Sequence, residues 1–127
     1  MYKGIPQNDI GIRTDIIENV SKADGMQMLI RSMAPQVISC DEIGCEQDIN
    51  AIKYAISSGV KGIFTMHGNS MEDLKLNSSF SELIQKFIIE KIIFLSETIK
   101  GQAKEIFELD KFERKYTKKR KNNFKDI

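Results

Sequence analysis

Residues 36–44 read QVISCDEIG and are the clearest indication of the fold class. A short apolar run that ends in two carboxylates, Asp41 and Glu42, is typical of a buried strand with a charged pair at its carboxyl end. A second apolar run, VKGIFTM at 60–66, leads into His67. Because the carboxyl ends of neighbouring parallel strands meet at one edge of a sheet, we expect the polar residues after both runs to lie together.

Helical periodicity flanks both strands. The first helix is predicted to begin near Ser21 and to end before Pro35. The second helix is predicted from about Glu46 to Ser58, with Gly59 as its C-terminal cap. The apolar residues on which these predictions depend are Met26, Leu29, Ile30 and Met33 in the first helix and Ile49, Ile52 and Ile56 in the second. Alternating helices and strands predict a mostly parallel sheet flanked by helices, which is the α/β class.

Smaller elements are predicted outside this core. Residues 4–21 are rich in Gly, Asn and Asp and predict an irregular segment with room for one short strand. A short helix is expected from Ser70 to about Leu74, followed by a longer one. The inner face of the longer helix comprises Phe80, Leu83, Ile84, Phe87 and Ile88. Two antiparallel strands, at 91–95 and 103–109, are predicted to form a C-terminal hairpin.

Composition bounds the class of protein. With 41% apolar and 29% charged residues, the chain of 127 residues has the profile of a soluble domain. Residues 1–110 carry 11 basic and 16 acidic side chains, whereas residues 111–127 carry 8 and 2. We therefore expect a folded acidic domain over 1–110 and a basic, disordered tail over 111–127. No apolar run approaches the ~20 residues of a membrane span, and neither a leader nor a disulfide framework is expected, which points to the cytoplasm.

The acid pair at 41–42 is the pattern expected where a nucleotide is hydrolysed. Asp41 would hold magnesium through water, and Glu42 would polarise the attacking water. The same pair could instead cap the helix that begins near Glu46, because acidic residues often occupy that place. Thr65, at the end of the second strand, favours the nucleotide interpretation, since it adds a polar group at the same edge.

Three further side chains could contact phosphate. His67 is the only histidine of the chain, and beside a phosphate pocket it could hydrogen-bond the γ-phosphate or Glu42, although a lone histidine is more often a surface residue. Arg13 and Arg31 offer planar donors that could reach a phosphate across a subunit boundary, or they could be solvated surface residues.

Two other sequence patterns, a pair of cysteines and a basic run, do not predict a metal site or a nucleic-acid-binding site. Cys40 and Cys45 lack the further ligands that a structural zinc site requires. The basic run at 118–121 could bind nucleic acid or an anionic membrane, but without interleaved aromatic residues it is more typical of a solvated tail. A nucleic-acid partner is therefore not expected.

Four segments of the sequence resemble one known family. They are GIPQNDIGIRTD at 4–15, MLIRSMAPQVI at 28–38, DEIG at 41–44 and TMHG at 65–68. Together they are similar to the C-terminal part of the stage III sporulation protein AA family, from Gly4 to about Tyr116. The resemblance implies a cytoplasmic ATPase of endospore-forming bacteria, related to the type II secretion and type IV pilus motor ATPases. It also implies a RecA-like P-loop NTPase core, a ring-shaped oligomer, expected as a hexamer, and a role at the channel between mother cell and forespore.

The resemblance also implies roles for individual residues. Asp41 and Glu42 match the family's Walker B position, and the segment from Thr65 to Gly68 matches the histidine box of the secretion ATPases. The roles implied are catalytic for Glu42, His67, Arg13 and Arg31, nucleotide-binding for Thr65 and Gly68, and magnesium-holding for Asp41. The implied cofactors are ATP and magnesium, and the implied partners are membrane proteins of the sporulation channel. The expected location is cytoplasmic, against the mother-cell face of the forespore membrane.

The sequence departs from the family's pattern at the phosphate cradle. A P-loop requires Gly-x-x-x-x-Gly-Lys followed by Ser or Thr, and no glycine of this chain is followed by lysine. We therefore expect the C-terminal half of the core, with the Walker B and sensor residues, and no activity from this chain alone. The alternative hypothesis is a non-catalytic interaction module that docks on membrane partners or full-length subunits. In both cases an incomplete sheet predicts a marginally stable or self-associating chain.

Overall fold

The computed structural model describes residues 5–6 and 8–119. Within these residues the fold is mixed α/β, with four helices and five strands. The chain divides between Thr65 and Met66 into two compact units. The elements of the first unit are α1 (Lys22–Met33), β1 (Val37–Cys40), α2 (Glu46–Ser57) and β2 (Lys61–Phe64). Those of the second are α3 (Met71–Leu76), α4 (Ser78–Gln85), β3 (Lys91–Leu95), β4 (Ala103–Asp110) and β5 (Lys115–Lys119).

The two helices of the first unit begin and end where local backbone chemistry requires. Ser21 caps α1, because its hydroxyl oxygen accepts a hydrogen bond from the backbone N–H of Asp24 at 3.1 Å. The helix ends before Pro35, as predicted. After α2, Gly59 takes a left-handed conformation with φ 82°, which glycine adopts without a steric penalty. Both predicted helices are confirmed.

β1 and β2 pair in parallel, as predicted, with Val37 opposite Lys61 and Ser39 opposite Ile63. Ile38 points into the core and is 3% exposed, but Val37 is 53% and Ile63 is 63% exposed. The prediction of fully buried strands is therefore wrong for this face, because the core lies on the opposite side of the sheet. The core of the first unit comprises Met26, Ile38, Ile43, Ile49, Ala51, Ile52, Ala55 and Val60.

The segment before α1 is irregular, as predicted. Residues 8–21 contain neither a helix nor a strand. Ile10, Ile12 and Ile16 are exposed rather than buried. Gly4, at the start of the predicted segment, lies outside the described residues.

In the second unit, α4 ends earlier than the apolar pattern predicts. Phe87 has φ 55°, its N–H donates to the Ile84 carbonyl at 3.1 Å, and the N–H of Ile88 donates to the Leu83 carbonyl at 2.9 Å. These two hydrogen bonds form a Schellman motif, with phenylalanine in the place that usually holds glycine. The prediction that Phe87 and Ile88 continue the inner face of the helix is therefore wrong, because this motif terminates the helix at Gln85.

β3, β4 and β5 form an antiparallel sheet in that order. The predicted β3–β4 hairpin is confirmed, but the prediction of a mostly parallel sheet is wrong. Among the described strands, parallel pairing is confined to β1 and β2. The connections within the second sheet are too short for the crossover that a parallel pair requires. The core of this unit comprises Met71, Leu74, Phe80, Leu83, Ile84, Ile92, Phe94 and Ile106.

β5 lies within 111–127, the region predicted to be disordered. It pairs along its length with β4, and the hydroxyl of the half-buried Tyr116 donates to the Ile89 carbonyl at 2.7 Å. The prediction is therefore wrong for β5, because cross-strand pairing and this anchor order a basic segment that has little local tendency to fold. Residues 120–127 lie outside the part of the chain that is described.

Candidate functional site

The carboxyl ends of β1 and β2 meet, and Thr65 joins them. Its N–H donates to the Cys40 carbonyl at 3.2 Å, and its own carbonyl accepts from the N–H of Ile43 at 2.9 Å. The Thr65 hydroxyl donates to Oδ1 of Asp41 and accepts from the N–H of Glu42 at 2.9 Å. Three of the predicted site residues, Asp41, Glu42 and Thr65, are therefore in direct contact.

The backbone at Glu42 is left-handed, with φ 50°, an uncommon conformation for a residue with a Cβ atom. It turns the chain sharply after β1, so that Ile43 enters the core at 4% exposure while Glu42 stays exposed. Lys22, the first residue of α1, donates a hydrogen bond from Nζ to the Glu42 carbonyl. The acid pair thus lies where β1, β2 and α1 come together.

The loop between β1 and α2 is held by Asp48, which is 6% exposed. Its Oδ2 accepts from the N–H groups of Gly44 at 3.1 Å and Cys45 at 3.3 Å. The acid that caps the start of α2 is therefore Asp48. Asp41 and Glu42 do not cap this helix, so the alternative interpretation of the acid pair is wrong. Burial acts to raise the pKa of Asp48, but the hydrogen bonds outweigh burial and hold this pKa below its ordinary value.

Cys40, immediately before the acid pair, is a free thiol and half-buried. Burial raises the pKa of the Cys40 thiol, the positive charge of Lys22 acts against this rise, and the charges of Asp48 and Asp41 add to it. Cys40 therefore favours its protonated form, which is poor at both nucleophilic attack and metal binding.

Two predicted arginines lie elsewhere in the first unit. Arg31 is in the last turn of α1, where its guanidinium lies 5.9 Å from the ring centroid of Tyr54. This cation–π contact accounts for its position on structural grounds. Arg13 is exposed in the irregular segment before α1. Neither arginine is in the hydrogen-bonded cluster that the described residues form around Asp41.

His67 and Gly68 belong to the second unit, and His67 is exposed. A Cβ atom on Gly68 would lie 2.9 Å from Cδ2 of Leu74, so glycine allows the chain to pack closely against α3. Close packing against α3 is therefore sufficient to explain a glycine at position 68.

Sequence reasoning missed two residues of this cluster, Lys22 and Asp48. Lys22 could have been noticed because it is a lysine in the first turn of a helix, where the helix dipole makes a positive charge unfavourable. The signal for Asp48 is its place as the third residue of α2, from which an acidic side chain can reach back to the cap.

An open groove of about 660 Å³ lies in the second unit. Its apolar floor includes Phe87, Phe107 and Tyr116, and Arg114 lies over the Phe87 ring at 5.4 Å. None of the predicted site residues lines this groove.

Residues 5–6 and 8–119 contain neither a metal-binding group of side chains nor a membrane-spanning helix. No group of three or more His, Cys, Asp or Glu side chains could hold a metal ion by itself. No helix in that part of the chain is long and apolar enough to cross a membrane. A metal ion at the acid pair would therefore need ligands from outside this cluster.

Comparison with known proteins is consistent with the resemblance. The family described as "Sporulation stage III, protein AA" matches residues 1–113. Stage III sporulation protein AA of Bacillus subtilis (strain 168) is 36% identical over 109 residues, which cover 85% of this chain and 36% of that protein. The chain thus spans about a third of the length of this relative. No solved structure matches. On these matches, the chain belongs to the stage III sporulation protein AA family.

Proposed function

We propose that this chain functions in sporulation, as the magnesium- and water-handling part of an ATP-hydrolysing site in a RecA-like ATPase core. The observation that carries the proposal is the contact between Asp41 and Thr65 at the joined ends of β1 and β2, with Glu42 exposed beside it. Carboxylates at this edge of a parallel pair stand where open α/β sheets bind their ligands. Membership of a sporulation family supports the biological setting.

Each residue of the cluster has a distinct role in this proposal. Magnesium, when bound with ATP, neutralises charge that develops on the transferred phosphate. Asp41 would hold the magnesium, and the Thr65 hydroxyl fixes the Asp41 carboxylate. Glu42, the exposed carboxylate, accepts a proton from the attacking water. Thr65 thereby links the two acidic residues, because its hydroxyl contacts the Asp41 side chain and the backbone N–H of Glu42.

The residues present fit one side of such a site. A carboxylate oriented by a hydroxyl is a suitable outer ligand for magnesium, which retains several of its waters in proteins. The phosphate cradle is not supplied, since no glycine of the chain is followed by lysine. We therefore propose that the P-loop comes from another segment of the assembled ATPase. The match to only 36% of the Bacillus subtilis relative is consistent with this arrangement.

The remaining predicted residues and partners form part of the same proposal. His67 and Gly68 would respond to the γ-phosphate, and Arg13 and Arg31 would donate to phosphate across a subunit boundary in a ring, expected as a hexamer. The ring would act at the cytoplasmic, mother-cell face of the forespore membrane, with membrane proteins of the sporulation channel as partners.

The test is a mixing experiment. The chain is combined with a separately expressed part of the Bacillus subtilis relative, namely the part that the match leaves out, and magnesium-dependent ATP binding and turnover are measured. We expect turnover only on mixing, and a loss of about 100-fold or more in the Glu42→Gln chain. Glu46→Gln is the matched control, because Glu46 is also exposed and lies four residues away in the first turn of α2. Equal turnover with Glu42→Gln and with the unmodified chain would refute the assignment.

A second candidate is a non-catalytic interaction module. The observation that favours it is a pair of exposed apolar side chains on the outer face of β1 and β2, Val37 at 53% and Ile63 at 63% exposure, beside the polar Ser39 and Lys61. Exposed apolar side chains of this kind favour a contact with another chain. Stable association on mixing without nucleotide binding would favour this candidate over the ATPase.

A further inference from the structure

The main chain around Glu42 is held by two other elements of the first unit. The Glu42 N–H donates to the Thr65 hydroxyl at 2.9 Å, and the N–H of Ile43 donates to the Thr65 carbonyl at 2.9 Å. Thr65 therefore holds the peptides on both sides of the Glu42 Cα. Another backbone group of this turn, the Glu42 carbonyl, accepts a hydrogen bond from Nζ of Lys22.

The conformation that these contacts hold is an uncommon one. At φ 50°, a glutamate is in a region that residues with a Cβ atom seldom enter, and such residues persist only where their surroundings fix them. Because the backbone angles determine where the Cα–Cβ bond points, the same contacts set the direction in which the Glu42 side chain leaves the chain.

Helix stability does not account for the place of Lys22. It is the first residue of α1, where the partial positive charge of the helix end disfavours a cation. The lysine instead faces the residues around the acid pair: burial raises the pKa of Cys40 and the charge of Lys22 acts against that rise, and the same charge adds to the hydrogen bonds that lower the pKa of Asp48. The Lys22 ammonium therefore interacts with the end of β1 and the first turn of α2 as well as with the Glu42 carbonyl.

We propose that Lys22 is a positioning residue for Glu42. Its ammonium holds the Glu42 carbonyl and, together with Thr65, fixes the left-handed turn that aims the Glu42 carboxylate. The role in catalysis rests on the proposed function, in which Glu42 accepts the proton of the attacking water. The contact itself belongs to the chain and does not depend on nucleotide.

The test uses three variants. Lys22→Met removes the ammonium and keeps an unbranched side chain, Lys22→Arg keeps a donor, and Lys53→Met removes the same charge from α2 as a control. Amide hydrogen exchange of Glu42 and Ile43 is measured by NMR on the chain alone. We expect exchange to be about tenfold faster in Lys22→Met, with Lys22→Arg and Lys53→Met close to the unmodified chain.

The same variants are then assayed for ATP turnover in the mixed system. We expect Lys22→Met to lower kcat about tenfold with little change in KM, because a misdirected base affects the chemical step rather than substrate binding. Lys22→Arg should restore most of this loss. A raised KM with unchanged kcat would overturn the positioning role, since it would place Lys22 in direct contact with substrate. Unchanged amide exchange in Lys22→Met would overturn it as well.

The two proposals fail in different ways. If Glu42→Gln abolishes turnover but Lys22→Met does not lower kcat, the positioning role is overturned and the proposed function stands. If Glu42→Gln leaves turnover unchanged, the proposed function fails and the catalytic part of the Lys22 assignment fails with it. In that case faster exchange in Lys22→Met would still confirm that Lys22 fixes the turn.

Discussion

The Asp48 carboxylate accepts a hydrogen bond from the backbone N–H of Gly44 at 3.1 Å. The same carboxylate oxygen accepts from Cys45, so that a nearly buried acid on α2 holds the loop that follows the acid pair. A buried carboxylate is tolerated only when it is hydrogen-bonded. Asp48 is therefore a structural element of the candidate site rather than a reacting group.

We predict that Asp48→Ala lowers the free energy of unfolding by about 1–3 kcal/mol, because the two N–H groups of the loop lose their acceptor. Denaturant unfolding followed by circular dichroism measures this. Glu46→Ala is the control, since Glu46 is acidic, exposed and in the same helical turn. Equal losses in the two variants would contradict a special role for Asp48.

The pH dependence of stability follows from the same contact. Hydrogen bonds from Gly44 and Cys45 outweigh burial and hold the pKa of Asp48 below its ordinary value. A carboxyl whose pKa is lower in the folded state stabilises the fold above the unfolded pKa of about 4, and this contribution is lost as the pH falls through the lower folded value. We expect stability to fall more steeply below about pH 4 in the unmodified chain than in Asp48→Asn. Unfolding curves at a series of pH values test this, and parallel decline in both proteins would contradict it.

The features that the sequence predicts correctly are those set by local chemistry. Ser21 and Gly59 mark helix ends through capping and a positive φ, and the helix between β1 and β2 accounts for their parallel pairing. The contact of Thr65 with the acid pair follows from that pairing, because parallel strands end at the same edge.

What the sequence does not predict depends on tertiary contacts and on individual backbone angles. The hydrogen bond from Lys22 to the Glu42 carbonyl forms only because α1 begins beside the end of β1. Phe87 ends α4 in a conformation that its own preferences disfavour, and β5 is ordered by pairing with β4. None of these features leaves a periodic signal, since each depends on a contact with another element or on a single backbone angle.

Tyr116 gives a test in the second unit. Its hydroxyl donates to the Ile89 carbonyl at 2.7 Å, and burial raises the pKa of Tyr116 to about 12. A group whose pKa is raised on folding contributes stability below the unfolded value of about 10, and this contribution is lost as the pH rises toward the folded value. We predict that Tyr116→Phe costs about 1 kcal/mol at neutral pH. The difference from the unmodified chain should shrink above about pH 10.

Unfolding free energies of the two proteins, compared at neutral and alkaline pH, measure this effect. The ultraviolet absorbance of phenolate gives an independent readout, because Tyr116→Phe should remove a phenol whose pKa is raised to about 12. A constant difference in stability across the alkaline range would show that the hydrogen bond is not linked to ionisation.

The exposed face of β1 and β2 predicts self-association. Val37 and Ile63 leave apolar surface open on a parallel pair, an arrangement that other proteins cover on both faces. We expect the chain to associate in a concentration-dependent way, and Ile63→Lys to shift it toward monomer by placing a charge on this face. Sedimentation equilibrium measures the change. Leu76→Lys is the control, because Leu76 is also apolar and 83% exposed but lies in the second unit. An equal shift in both variants would argue against this face as the contact.

The Thr65 hydroxyl can be removed with little change in shape. Thr65→Val deletes the group that donates to Asp41 and accepts from the Glu42 N–H, whereas Thr65→Ser retains it. We predict that the valine variant loses about 1 kcal/mol of stability, near the mean for one hydrogen bond, because water can replace part of the interaction at this exposed edge. Turnover in the mixed system should fall about tenfold or more, since the Asp41 carboxylate and the Glu42 backbone both lose a group that holds them in place. Serine should retain most of the turnover, and a serine variant as impaired as valine would show that loss of the hydroxyl does not by itself explain the effect.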